Sequence, residues 1–80
     1  MKKANLIEMA NRIGEFFESM PDRDEALAGI ADHIGRFWEP RMRRAILETL
    51  DNSAESEPIL PIVKEALTRA RNKLTPAAAA

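Results

Sequence analysis

The chain has 80 residues, a formal net charge of −1 at pH 7 with its histidine neutral, and no cysteine. This length allows one small domain, and the nearly neutral charge is unlike that of a general nucleic-acid binder. Without cysteine the chain forms no disulfide, no zinc finger and no thiolate-ligated iron–sulfur cluster. The N-terminal segment is amphipathic and contains Glu8, Asn11 and Glu15, so we expect neither a signal peptide nor a membrane span there.

The first predicted helix ends at Met20, because a residue that precedes proline, here Pro21, is pushed out of the helical region. Its apolar residues recur at spacings of three and four and therefore share one face. These residues are Leu6, Met9, Ala10, Ile13, Phe16, Phe17 and Met20.

The second predicted helix starts at Asp22, with Glu25 three residues later, which resembles a capping box. Pro40 ends it and opens the third helix, because a proline in the first turn loses no hydrogen bond. The apolar face of the second helix consists of Ala26, Leu27, Ile30, Ile34, Phe37 and Trp38. That of the third consists of Met42, Ala45, Ile46, Leu47 and Leu50.

The polar, aperiodic segment 51–57 is predicted to be a loop. A fourth helix begins near Pro58 or Pro61, and its apolar face consists of Leu60, Val63, Leu67, Ala70 and Leu74. The chain has no strand-like alternating run, so we predict an all-α fold, a small bundle of about four helices. Residues 1–74 form the single domain, and residues 75–80 form a frayed tail.

The centres of the four apolar faces predict the core. They are Leu6, Ile13, Phe17, Ile30, Ile34, Ile46, Leu50, Val63 and Leu67. Three glycines, Gly14, Gly29 and Gly35, interrupt the helical patterns, and each costs about 1 kcal/mol relative to alanine. Either two helices of this domain approach closely at these positions, or a partner chain does.

The turn around Pro40 is the most unusual part of the chain. Arg41, Arg43 and Arg44 lie at the start of the third helix, where the macrodipole makes each unfavourable by about 0.3–1 kcal/mol. Several residues that are locally unfavourable at one place indicate a recognition surface. Tryptophan and arginine are also enriched at interface hot spots, although Trp38 could instead seal the corner of the bundle. The candidate partner-binding residues are His33, Phe37, Trp38, Pro40, Arg41, Met42, Arg43 and Arg44.

Charge is distributed unevenly along the predicted helices. If the helices run up and down in turn, a basic end and an acidic end result, which suits an acidic or phosphorylated partner. The alternative is an ordinary solvated surface. The basic end would include Lys3, Arg36, Arg69, Arg71 and Lys73, and the acidic end Asp24, Glu48, Asp51 and Glu55.

The sequence contains no combination of residues that is typical of a catalytic site. His33 is the only histidine, the serines have no base at a suggestive spacing, and no glycine-rich phosphate loop occurs. We therefore predict no enzyme activity for the chain alone, and no catalytic, cofactor-binding or metal-binding residue.

Several short strings occur in a distinctive order along the chain. They are Met9-Ala10-Asn11 with Ile13 and Phe16-Phe17, Gly29-Ile30, His33-Ile34, Phe37-Trp38-Glu39-Pro40-Arg41-Met42-Arg43, and Pro61-Ile62-Val63 before Ala66-Leu67. In this combination they resemble the delta subunit of NAD-dependent, molybdenum- or tungsten-containing formate dehydrogenases. The resemblance covers the chain between Leu6 and Leu67, apart from segment 51–57.

The resemblance implies a non-catalytic accessory subunit of a cytoplasmic complex, with the catalytic alpha subunit and the beta and gamma subunits as partners. It implies that the large subunit holds bis(molybdopterin guanine dinucleotide), while other subunits pass electrons through iron–sulfur clusters and FMN to NAD. The accessory chain itself would bind no cofactor, nucleic acid or membrane. Its role would be to support assembly, stability or cofactor retention.

Two alternatives remain. The chain could be a transient chaperone for cofactor insertion, with its arginines holding the cofactor's phosphates. It could also be a helical nucleic-acid-binding module with strongly salt-dependent affinity. The net charge of −1 and the acidic Glu48 and Asp51 on the third helix argue against that second alternative.

Overall fold

The computed structural model describes residues 2–76, and within them the backbone forms six helices and no strand. The helices are α1 (Lys3–Glu18), α2 (Arg23–Phe37), α3 (Pro40–Leu50), α4 (Ser53–Ser56), α5 (Pro61–Arg69) and α6 (Arg71–Leu74). The predicted all-α class is confirmed. Between residues 2 and 76, no helix combines the length and apolar character that crossing a membrane requires.

Helices α2, α3 and α5 start at the capping and proline residues that the sequence predicts. The carboxylate of Asp22 accepts a 3.1 Å hydrogen bond from the N–H of Glu25 and so caps α2. Pro40 and Pro61 occupy the first turns of α3 and α5. Of the two starts considered for the last long helix, the structure therefore selects Pro61.

The prediction of a loop over residues 51–57 is wrong in its centre, which forms α4. Asn52 provides the reason, because its side-chain oxygen accepts hydrogen bonds from the N–H groups of Ala54 at 3.0 Å and Glu55 at 3.1 Å. Asparagine is a strong N-cap, and it starts one helical turn that returns the chain to the core at Ile59.

The last predicted helix is not continuous. It breaks at Ala70, where φ is −97° and ψ is 12°, so that α5 and α6 are separate. The break costs few backbone hydrogen bonds, since the N–H of Leu74 still donates to the carbonyl of Ala70 at 2.9 Å. The change of direction brings Leu74, only 2% exposed, into the core. No glycine or proline marks the position in the sequence.

The predicted frayed tail falls partly outside the described residues. Thr75 donates to the carbonyl of Arg71 through both its N–H, at 2.9 Å, and its hydroxyl, at 2.7 Å. These bonds close the last turn of α6 and hold the chain as far as Thr75. Residues 77–80 lie outside the part of the chain that the structure describes.

Helix α2 lies between α1 and α5, and α3 packs on α1 and α5. Six of the nine predicted core residues are buried, and Ile13, Phe17 and Leu50 are half-buried against the same core. Thr49, fully buried, satisfies its hydroxyl by donating to the carbonyl of Ala45 at 2.9 Å. The buried hydrophobic residues include Leu6, Ile30, Ile34, Trp38, Ile46, Ile59, Ile62, Val63, Leu67 and Leu74.

Two of the three glycines serve close packing inside the domain. A Cβ on Gly14 would overlap the Cγ2 of Val63, and a Cβ on Gly29 would overlap the ring of Phe17. Gly35 differs, because a Cβ there would meet only the Cδ2 of Leu74 at an ordinary 3.5 Å. The packing of this domain therefore explains Gly14 and Gly29 but not Gly35.

The predicted separation of charge into a basic and an acidic end is wrong. Ion pairs join residues that were expected at opposite ends, such as Arg69 with Asp24 at 3.1 Å and Arg71 with Asp51. Lys3 and Glu55 form a further pair at 3.4 Å. The break at Ala70 is one physical reason, since it turns the C-terminal basic residues back toward the end of α3.

Candidate partner-binding site

The corner between α2 and α3 is short and fixed by backbone hydrogen bonds. Trp38 and Glu39 connect the helices in an extended conformation, and Pro40 starts α3. The N–H of Trp38 donates to the carbonyl of Ile34 at 3.0 Å, and the N–H of Arg43 donates to the carbonyl of Glu39 at 3.0 Å. Both connecting residues are thus tied to a helix, which sets the direction in which α3 leaves.

The two aromatic residues at the corner have opposite environments. Trp38 is 6% exposed and belongs to the core, whereas Phe37 is 70% exposed. Trp38 therefore seals the corner, which was the alternative considered from the sequence, and it presents almost no surface to a partner. The exposed ring at the corner belongs to Phe37.

The remaining candidate residues are exposed to different degrees. Pro40, Arg41 and Arg44 are exposed, while His33, Met42 and Arg43 are half-buried. Among residues 2–76, neither Arg41 nor Arg44 has a carboxylate within ion-pair distance. Their guanidinium groups are therefore available to acceptors outside the domain.

A second exposed aromatic residue extends this region onto α1. Phe16 is 72% exposed and meets the ring of Phe17 edge to face, with centroids 5.1 Å apart. The ring of His33 packs on Phe37, with centroids 4.8 Å apart. We call the residues Phe16, His33 and Phe37 the aromatic surface. A shallow groove of about 360 Å³, lined by Phe16, Phe17 and His33, joins its two helices.

The sequence assigned Phe16 and Met9 to the buried face of the first helix, and both are exposed instead, Met9 to 42%. Consecutive helical residues point about 100° apart, so Phe16 and Phe17 face different directions from α1. Phe17 takes the inner position because Gly29 leaves room for its ring. The adjacency of the two rings alone does not predict the exposed one, since the adjacent Ile62 and Val63 are both buried.

Glu65 is the centre of an ion-pair network that joins α2 to α5. Glu65 accepts hydrogen bonds from Arg23 at 3.1 and 2.7 Å and pairs with Arg69 at 2.8 Å. The hydrogen bond from Arg23 is the largest influence and lowers the pKa of Glu65. Desolvation opposes it, and weaker Coulomb attraction to Arg23 and Arg69 lowers the pKa further. Among the described residues, no group of three or more histidine or carboxylate side chains converges to hold a metal ion.

A match to a known protein family covers most of the chain. The sequence profile described as "NADH-dependant formate dehydrogenase delta subunit FdsD" matches residues 5–67. The matched range contains most of α1, all of α2, α3 and α4, and the whole aromatic surface. No match was found among curated proteins or among solved structures. The match spans most of the chain and agrees with the resemblance found in the sequence, so the chain belongs to the FdsD family of formate dehydrogenase delta subunits.

Proposed function

We propose that the chain is a non-catalytic accessory subunit of a cytoplasmic, NADH-dependent formate dehydrogenase and that it docks on the catalytic subunit. Family membership supports a place in a multi-subunit formate dehydrogenase. One observation carries the docking part of the proposal, namely that Phe37 is 70% exposed at a corner whose own core is already sealed by Trp38. Docking would support assembly, stability or retention of the molybdenum or tungsten cofactor.

The aromatic surface has an energetic reason to be covered. Phe16 and Phe37 leave most of their rings in water, and burying such a side chain contributes about 1.5–3 kcal/mol. Large exposed apolar patches on a small domain mark interaction sites. The isolated chain should therefore be marginally stable or self-associate, and the partner should supply the missing contacts.

Arginines beside the aromatic surface would give the contact its specificity. Arg41 and Arg44 are exposed, and a guanidinium group binds a carboxylate through two parallel hydrogen bonds, which an ammonium group cannot do. A partner carboxylate would also remove the unfavourable interaction between these cations and the start of α3. We therefore expect acidic residues on the partner around an apolar pocket for Phe37.

In this proposal the other subunits carry the redox groups, which the resemblance identifies as bis(molybdopterin guanine dinucleotide), iron–sulfur clusters and FMN. The composition of the chain is consistent with this division, since it contains no cysteine to ligate a cluster. The accessory chain would act by covering a surface of the catalytic subunit with a rigid corner.

The test is co-expression of the tagged chain with the formate dehydrogenase subunits, followed by affinity purification. Phe37→Ala and Arg41→Ala should each weaken association by about 2 kcal/mol if they are hot spots. Arg41→Lys should also weaken it, because charge alone does not reproduce bidentate binding. Lys2→Ala, which removes an exposed cation at the start of α1, is the matched control.

Formate oxidation and metal content of the purified complex complete the measurement. Full assembly and full metal occupancy with the combined Phe37→Ala, Arg41→Ala and Arg44→Ala variant would refute docking through this surface. The chaperone alternative gives a different result. In that case the chain is present on the immature catalytic subunit and absent from the finished enzyme.

A further inference from the structure

A second groove, of about 780 Å³, lies on another side of α2 from the aromatic surface. Residues Ala31 and His33 illustrate the separation, since positions two apart on a helix lie on nearly opposite faces. Ala31 lines this groove, whereas His33 belongs to the aromatic surface. Segments α5 and α6 form the other wall, where Ala66, Ala70 and Leu74 contribute small and apolar side chains.

Four cations border this groove, against two carboxylates. Two of the cations are already paired, Arg36 with Asp32 at 2.9 Å and Arg69 with Asp24 at 3.1 Å. The others, Arg43 and Lys73, have no carboxylate within ion-pair distance among residues 2–76. We call the whole feature the cationic groove, defined by Arg36, Arg43, Arg69, Lys73 and Gly35.

One atom of the groove lacks the partner that its environment requires. The Nε of Arg43 is buried and finds no hydrogen-bond acceptor within residues 2–76. A buried N–H without an acceptor is unfavourable, and buried donors in folded proteins are nearly always satisfied. Because Nε itself has no surface open to solvent, an acceptor supplied from outside would pair with the guanidinium group of the half-buried Arg43 side chain. Lys73 would provide a second charge in the same groove.

Gly35 is an independent indication that another chain approaches here. Glycine destabilises a helix interior, yet a Cβ at Gly35 would make only an ordinary contact with Leu74 inside the domain. The residue also lines the cationic groove. A glycine on this wall permits the backbone of a partner segment to come closer than any side chain would allow.

We infer that the cationic groove receives an acidic helical segment of another formate dehydrogenase subunit, whose carboxylates pair with the guanidinium group of Arg43 and with Lys73. This inference rests on the proposed function, but it names a surface separate from the aromatic one. The small side chains of α2 and α5 fit a helix backbone, and the excess of cations selects carboxylates on it.

Carboxylate is favoured over phosphate by the helices that end here. Arg69 lies in the last turn of α5, and Lys73 lies in the last turn of α6. The C-terminal ends of helices carry the negative end of the macrodipole, which repels a multiply charged phosphate more than a singly charged carboxylate. Phosphate sites use helix N-termini instead.

The test uses the co-expressed complex with two changes in the groove. Gly35→Leu fills it without removing any charge, and Lys73→Glu reverses the exposed cation. Ala4→Leu and Lys2→Glu make the same changes at exposed positions of the N-terminal segment. Each groove variant should weaken association about 10-fold or more, as interface hot spots do, while the controls remain within about twofold. Circular dichroism of each variant confirms that the helices are retained.

A zero-length carbodiimide crosslink gives the direct readout. In the wild-type complex it should join the Nζ of Lys73 to an aspartate or glutamate of another subunit, and mass spectrometry identifies that residue. The crosslink should disappear in Gly35→Leu, although Lys73 is unchanged there.

The outcomes are distinguishable. If wild type is retained and the groove variants behave like their controls, the groove inference is overturned and the proposed function stands. If wild type is not retained at all, the proposed function fails, and this inference fails with it. A crosslink to a second copy of this chain would replace the subunit partner by self-association. Protection of Lys73 by inorganic pyrophosphate at constant ionic strength would identify a phosphate ligand and overturn the carboxylate.

Discussion

The side-chain oxygen of Asn11 accepts a 2.9 Å hydrogen bond from the backbone N–H of Leu60, the residue that caps α5. Its amide nitrogen also donates to the carbonyl of Pro58 at 2.9 Å. One side chain of α1 therefore satisfies both a donor and an acceptor in the connection between α4 and α5. This pair of bonds holds the start of α5 against α1 close to the point where Gly14 meets Val63.

Replacing Asn11 should destabilise the fold measurably. Asn11→Ala leaves the partly buried N–H of Leu60 without its acceptor, which costs about 1–3 kcal/mol. The free energy of unfolding is measured by urea denaturation, with Asn5→Ala, at an exposed position of the same helix, as the control. Equal stability of the two variants would show that the connection holds without these bonds.

Alanine substitution should destabilise the chain at Gly14 and stabilise it at Gly35. Gly14→Ala forces a methyl group onto Val63, and overpacking of this kind costs about 1–3 kcal/mol. Gly35→Ala should instead stabilise the chain by about 0.5–1 kcal/mol, because alanine has the higher helix propensity. The new methyl group makes only an ordinary van der Waals contact with Leu74. Thermal denaturation of both variants is the measurement, and a loss of stability in Gly35→Ala would contradict the packing described here.

Alanine substitutions of the two adjacent aromatic residues at the corner should have very different effects on the stability of the isolated chain. Trp38→Ala removes a side chain that is 6% exposed and should cost about 3–5 kcal/mol. Phe37→Ala removes an exposed ring, so the isolated chain should change by less than about 0.5 kcal/mol. Chemical denaturation of the two single variants decides the point. A similar loss in both would mean that Phe37 also belongs to the core.

Stability should depend on the ionisation of Glu65 in acid. Its pKa is lowered in the folded chain, chiefly by the hydrogen bond from Arg23, so the charged form contributes stability above its unfolded pKa, near 4.5. That contribution is lost as the pH falls through the lowered folded pKa. The difference in unfolding free energy between wild type and Glu65→Gln should therefore be full at neutral pH and shrink below about pH 4.

The control for this measurement is Glu48→Gln. Glu48 is exposed on α3 and has no ion pair among residues 2–76. If both substitutions change the pH profile of unfolding equally, the ion pairs of Glu65 are not the cause.

Periodicity and proline predicted the long helices well because both act locally. Pro40 and Pro61 begin α3 and α5, and the apolar repeats identified most of the core. The break at Ala70 was not predictable in this way. It depends on Leu74 finding space in the core and on Arg71 reaching Asp51, and both are tertiary events.

The interaction surfaces were predictable only in part. The apolar pattern placed both Phe37 and Trp38 on the inner face of the second helix, and it could not decide which ring is buried because Trp38 leaves the helix in an extended conformation. The cationic groove was missed. Arg43 and Lys73 are far apart in sequence and line one groove only because α6 packs against α2 and α3.

The burial of Trp38 also gives the protein an optical reporter. The chain contains one tryptophan and no tyrosine, so its fluorescence on excitation near the red edge of indole absorption comes from the corner between α2 and α3. An indole enclosed by the core emits at shorter wavelength than one in water, and loosening of that corner alone would shift the emission to the red. Opening of this corner can therefore be followed in the unlabelled isolated chain.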